Sequence, residues 1–158
     1  VADKQQSGPI LVPVDFSGTS EAALLQAAEL SKCLNRVLLV LHVVHDPSSM
    51  PGYYSRALKK KQLSRIEDGA AIMLEEFAHA VVKRHPDIKT LTELKTMLVK
   101  GLPSSRILEV AEQADASMIV IGSKGLTGLK HLLIGSVAEQ VVHLSRIPVL
   151  VVKSSDRG

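Results

Sequence analysis

With 158 residues, 46% of them hydrophobic and 22% charged, the chain holds enough apolar material for one globular domain with a full core, and is too short for two ordinary ones. Its net charge of +3 is scattered except at Lys59-Lys60-Lys61, and it has two Phe, two Tyr and no Trp, so neither a basic stripe nor an aromatic platform for nucleic acid is present. No signal-peptide pattern opens it and the longest apolar runs, 37–44 and 147–152, fall short of a bilayer span, which predicts a soluble cytoplasmic protein without a membrane partner.

Residues 1–8 are polar and unpatterned and read as a mobile tail, residues 9–153 as the single domain, and 154–158 as a C-terminal tail. The first strand is Ile10–Val14. It ends at Asp15, and Ser17 is placed to cap a helix running to about Asn35, with Ala23, Ala27, Leu30 and Leu34 on its apolar face and Glu21 and Glu29 toward solvent. The single Cys33 lies on this helix and reads as a buried small hydrophobe. Val37–Val44 is apolar almost throughout, as expected of a central parallel strand covered on both faces.

After His45 the chain turns polar, and Pro51-Gly52-Tyr53-Tyr54 reads as a loop able to lie over a site. A long helix is predicted from Arg56 to Arg84, with Leu63, Ile66, Ala70, Met73, Phe77 and Val81 at helical spacing and the lysine run on its solvated side. Pro86 ends it. Leu94–Val99 is the third strand, and Pro103 suits the first turn of a helix that buries Ile107, Leu108, Val110 and Ala111. Strand four is Met118–Ile121, a helix that starts near Gly135-Ser136 follows through Leu144, and Val149–Val152 closes the chain. Strand and helix alternate throughout, which predicts an open parallel α/β sheet with ligands beyond the carboxyl ends of its strands.

Between strand four and the last helix lies Gly122-Ser-Lys-Gly125, followed after nine residues by Gly135-Ser136. Glycines let a phosphate approach the backbone N–H groups, Ser136 adds a hydroxyl, and a helix N-terminus favours an anion. The same residues also suit a tight strand-to-helix turn that binds nothing. Neither GxxxxGK[ST] nor GxGxxG occurs, which weakens kinase, GTPase and dehydrogenase readings. Asp15, at the carboxyl edge of strand one, is equally a ligand for ribose or adenine and a helix N-terminal acid; the residues alone do not choose. Lys124 lies inside the loop, where a solvated lysine is the plainer reading. His42 and His45 stand three apart with no third ligand, a poor metal pair.

The spacing Gly122-x-x-Gly125-(nine residues)-Gly135-Ser136 resembles the G-2x-G-9x-G-[S/T] motif of the ATP-binding branch of the universal stress protein family. Ile10-Leu-Val-Pro-Val-Asp15-Phe-Ser17, Leu39-Val-Leu-His42-Val43-Val44 and Ile147-Pro-Val-Leu-Val-Val-Lys153 resemble its first, second and closing strands. The resemblance implies a flavodoxin-like, Rossmann-like five-stranded parallel sheet of order 3-2-1-4-5 with helices on both faces. It places Pro13, Val14 and Asp15 at the adenosine, Val43 at the adenine and Ile121 beside the nucleotide, and Gly122, Gly125, Gly135, Ser136 and Val137 at ribose and phosphates. It further implies ATP, with Mg²⁺ or Mn²⁺ on the phosphates, and a homodimer paired through the edge strand Ile147–Lys153.

The function expected is that of an ATP-binding regulator, a nucleotide-dependent switch in stress response. The alternatives are a slow ATPase or phosphotransferase, against which stands the lack of any positioned base or arginine finger near the loop, and an interaction module without nucleotide. A phosphorelay receiver would want an Asp at the end of strand three, where the chain has Lys100-Gly101.

Overall fold

The computed structural model describes residues 8–45, 60–126 and 134–153; the tails at 1–7 and 154–158, the loop at 51–54 and the lysine run's side chains lie outside that set. The strands are β1 (Ile10–Pro13), β2 (Leu38–His45), β3 (Lys95–Gly101), β4 (Met118–Gly122) and β5 (Val149–Val152). Four helices alternate with them: α1 (Gly18–Leu34), α2 (Lys60–Arg84), α3 (Pro103–Gln113) and α4 (Ser136–Leu144). The sheet is five-stranded and parallel throughout, in the order β3-β2-β1-β4-β5. Ile10 pairs with Leu38 on one side and with Met118 on the other, so β1 is central.

Right-handed crossovers decide which face each helix covers. From β1 to β2 to β3 the chain moves one way along the sheet, and it then returns past β1 to β4 and β5. Helices α1 and α2 therefore share one face, and α3 and α4 the other. Side chains divide accordingly with the two-residue period of a strand. Ile10, Val12, Leu38, Val40 and Val120 pack with Ala23, Leu24, Leu74 and Val81. Leu11, Leu39, Leu41, Ile119 and Ile121 pack with Ile107, Val110, Ala138 and Val141. The reversal leaves a crevice between the carboxyl ends of β1 and β4.

Helix α1 starts where Ser17, in extended conformation, accepts from Ser20 N, and it ends at Asn35 in the left-handed region. It buries Ser20, Ala23, Leu24, Ala27, Ala28 and Ser31. Contrary to expectation, Cys33 is exposed because it lies off that stripe, and Leu34, on the stripe but at the last residue of the helix, is 48% exposed. Glu21 is half-buried and pairs with Arg84 at 2.8 Å, so it does not simply face water.

In α2 the buried residues are Leu74, Ala78 and Val81, whereas Ile66 and Met73 of the expected stripe are 44% and 51% exposed. Adjacent columns of this helix are both apolar, and contact with the sheet selects between them. Positions 56–59 and the Leu63 side chain lie outside the described residues.

Strand β2 begins one residue later than predicted, since Val37 stands at its mouth with its carbonyl accepting from Ile10 N at 2.9 Å. A 3₁₀ turn at Lys89–Glu93, not anticipated, buries Leu91 completely and shifts β3 to Lys95–Gly101. Leu108 is only partly buried. No helix among the described residues is long and apolar enough to cross a membrane.

Candidate functional site

A cavity of about 420 Å³ occupies the crevice beyond β1 and β4, roofed by the first turns of α3 and α4. Pro13, Val14 and Asp15 from the end of β1, Val43 from β2, and Ile121 and Gly122 from the end of β4 all line it. Gly125 from the following loop and Gly135, Ser136 and Val137 from the start of α4 complete the set read from the sequence. Pro103 and Ile107 add an apolar wall from α3, and the titratable side chains among the described lining residues are Asp15, His42 and Lys124.

Hydrogen bonds across the chain hold the glycine segment in place. Ser123 N donates to Val152 O and Gly135 N to Ser123 O, each at 2.7 Å, which fastens the start of α4 to the end of β4. Thr19 Oγ1 donates to the Lys124 carbonyl. The Asp15 carboxylate is the third anchor: Oδ2 accepts from Leu126 N at 2.8 Å, while Oδ1 accepts from Ser17 Oγ at 2.5 Å and Ser17 N at 3.2 Å. Asp15 therefore ties β1, the start of α1 and the glycine loop together. Neither sequence reading of this residue included that loop contact.

The glycines divide by the reason for their small size. A Cβ at Gly122 would stand 2.9 Å from Thr19 C and O and 3.1 Å from Ser20 N, so close approach of α1 to β4 requires glycine there. At Gly135 a Cβ would meet Ser123 O at 3.5 Å and Lys124 Cα at 3.7 Å, ordinary contacts that the protein's own packing permits. Neither residue has a positive φ; among described glycines that conformation belongs to Gly101, at 139°. Helix α4 has Gly135 at its N-cap in extended conformation and no side-chain cap. Its leading N–H groups and the positive end of its dipole thus present an anion site on the cavity wall.

His42 has a role that its reading as a poor metal ligand missed. Its Nδ1 lies 2.8 Å from Val14 O, and since a carbonyl only accepts, Nδ1 carries the proton. The ring stacks on Phe16 at 4.3 Å between centroids, and Phe16 meets Phe77 edge-on at 5.6 Å. Phe16 takes a left-handed backbone conformation, φ 67°, which turns the chain sharply between Asp15 and the Ser17 cap. His42 thereby braces the end of β1 from β2. An aromatic residue directly after a strand-terminal Asp was the available signal. No group of three or more His, Cys, Asp or Glu able to hold a metal ion occurs among the described residues.

The sequence profile of the Universal stress protein family matches residues 7–153. The chain belongs to the universal stress protein family. A universal stress protein of Methanocaldococcus jannaschii is 32% identical over 160 aligned positions covering 91% of this chain and 93% of the relative. Another, from Bacillus subtilis, is 31% identical, with 91% and 97% covered. Among solved family structures, UspA from Lactobacillus plantarum superposes with a TM-score of 0.73 at 27% identity, covering 92% of this chain and 97% of that one. The universal stress protein from Archaeoglobus fulgidus, solved in complex with dAMP, superposes with a TM-score of 0.62 at 26% identity, covering 92% and 98%. The flavodoxin-like sheet is thus the family's fold, and some solved universal stress proteins bind nucleotides.

Proposed function

We propose that this universal stress protein binds ATP or a related adenine nucleotide in the β1/β4 cavity, with Mg²⁺ or Mn²⁺ carried on the phosphates, and acts as a nucleotide-responsive regulator in stress response. The observation that carries this reading is convergence: motif residues from separate stretches of chain line one cavity at the switch point of the sheet. Its volume falls within the ~300–1,000 Å³ of small-molecule sites. The apolar end, with Val14, Val43, Pro103 and Ile107, suits a planar base, and the uncapped start of α4 suits phosphate. Gly135 supports the same reading, because internal packing does not demand its glycine whereas a close phosphate would. The Archaeoglobus fulgidus relative with dAMP supports the nucleotide class.

Binding rather than hydrolysis is the reading, because Asp15, the one carboxylate among the described lining residues, already accepts from Ser17 and Leu126. In this mechanism phosphate oxygens recruit the N–H groups of the glycine loop, and occupancy alters the surface offered to protein partners. We also propose a homodimer joined by antiparallel pairing of β5 with its copy. Strand β5 is a sheet edge of sequence Val-Leu-Val-Val, whereas the opposite edge, β3, carries Lys95 and Lys100.

The test is to denature freshly purified protein and identify released nucleotide by ion-pair chromatography, then to titrate stripped protein with ATP by calorimetry. Wild-type protein is expected to release or rebind adenine nucleotide, and Gly135→Val to do neither while remaining folded. ATP should also slow hydrogen exchange over 122–126. Absence of both release and binding in the wild type refutes the nucleotide reading; binding with unchanged exchange refutes the ordering mechanism.

A further inference from the structure

Lys124 has an unusual electrostatic position for a side chain outside the family's glycine motif. It is the only Lys or Arg among the described residues that line the cavity. Its backbone is not free to drift: the carbonyl accepts from Thr19 Oγ1, and its neighbour Ser123 is bonded to both Val152 and Gly135. The Cα lies 3.7 Å from where a Gly135 side chain would begin, so this lysine stands beside the first turn of α4.

Among the described residues no carboxylate is paired with it. A cation beside a helix N-terminus opposes the dipole, the reverse of the favourable arrangement. Asp15, the nearby carboxylate, forms no ion pair with Lys124; its oxygens accept from Ser17 and Leu126 instead. Glu139, the acid in the first turn of α4, forms no ion pair with it either. Two positive features, a lysine in the cavity lining and an uncapped helix start, therefore stand at one cavity with no described carboxylate paired to either.

We infer that Lys124 is the residue by which the cavity selects phosphorylated nucleotides over the bare nucleoside, its ammonium pairing with the phosphate seated at the start of α4. This rests on the nucleotide reading above and adds to it a side-chain determinant that the glycines and Ser136 do not supply. Backbone N–H groups orient a phosphate, but they are neutral. A lysine acts as a point charge whose contribution vanishes when the ligand carries none. A charge-assisted hydrogen bond of this kind is worth roughly a tenfold change in affinity or more.

The experiment is calorimetric titration of the full chain with adenosine, AMP and ATP, for wild type, Lys124→Gln and Lys124→Arg. Lys124 is half-buried and pairs with no described carboxylate, so both variants are expected to fold, which thermal melting checks. Expected for Lys124→Gln are about a tenfold or greater loss for AMP and ATP with adenosine unchanged, and for Lys124→Arg affinities within about threefold of wild type. The wild-type preference for AMP over adenosine should also shrink as salt is raised. Equal AMP affinity in wild type and Lys124→Gln overturns the inference while leaving the nucleotide reading standing, as does an equal loss for adenosine and AMP, which would make Lys124 a shaper of the loop. A wild type that binds none of the three ligands overturns both.

Discussion

At the scale of single residues, the glycines of one motif do different work, and spacing along the chain cannot separate them. Gly122 is small because the start of α1 presses against the end of β4, with Thr19 backbone atoms 2.9 Å from where a Cβ would be. Replacing it with Ala forces backbone to move, and we expect Gly122→Ala to lower stability by about 1–3 kcal/mol in urea denaturation, as overpacking does. An unchanged midpoint would show that α1 can yield at no cost. Gly135 meets only ordinary contacts, so its substitutions should register in ligand affinity more than in folding. His42 makes the same point about side chains. Read in the sequence beside His45 it makes only a poor metal pair, whereas its bond to Val14 O and its stack on Phe16 exist only once β1 and β2 are paired.

Among the elements, the helix starts were the most legible features because their chemistry is local. Ser17 caps α1 and Pro103 opens α3, each as expected from a hydroxyl or a fixed φ at the first turn. Ser17 also donates to Asp15, so its hydroxyl joins the helix cap to the anchor of the glycine loop. Ser17→Ala should cost about 1–2 kcal/mol in urea denaturation, the loss of a good cap, and should speed hydrogen exchange at Leu126 N by loosening Asp15. Stability lost without faster exchange at Leu126 would show that Asp15 holds the loop unaided. Less legible was the face that α2 buries. Val81 of the expected stripe is buried, but Ile66 and Met73 stand in one apolar column and Leu74 and Ala78 in the next, and a period of 3.6 residues fits either until the sheet supplies a partner.

For the whole molecule, the parallel order leaves two sheet edges, and they are unlike. Pro148 O accepts from Ile119 N of β4 and Val152 O from Ser123 N just after it, so the two-residue alternation turns the backbone groups of Val149 and Val151 outward along β5. Val151→Pro removes an outward N–H while keeping the bonds to β4. Light scattering at micromolar concentration should therefore report a dimer for the wild type and a monomer for Val151→Pro, with the same circular dichroism for both. A monomeric wild type would refute pairing through β5, and a dimeric variant would move the interface elsewhere.

Sequence by itself determined the alternation of strand and helix, the local helix starts and the glycine motif, because these depend on periodicity and on neighbours a few residues away. Its resemblance to the universal stress protein family supplied the strand order 3-2-1-4-5, which periodicity could not, since every right-handed α/β winding alternates in the same manner. Tertiary structure alone decided that Asp15 reaches the Leu126 amide across the sheet, that Cys33 faces water, that a 3₁₀ turn buries Leu91, and that Lys124 stands beside the start of α4. Each of these joins residues far apart in the chain or selects one helix face over its neighbour. Such choices are made by packing and electrostatics when the sheet closes on its helices.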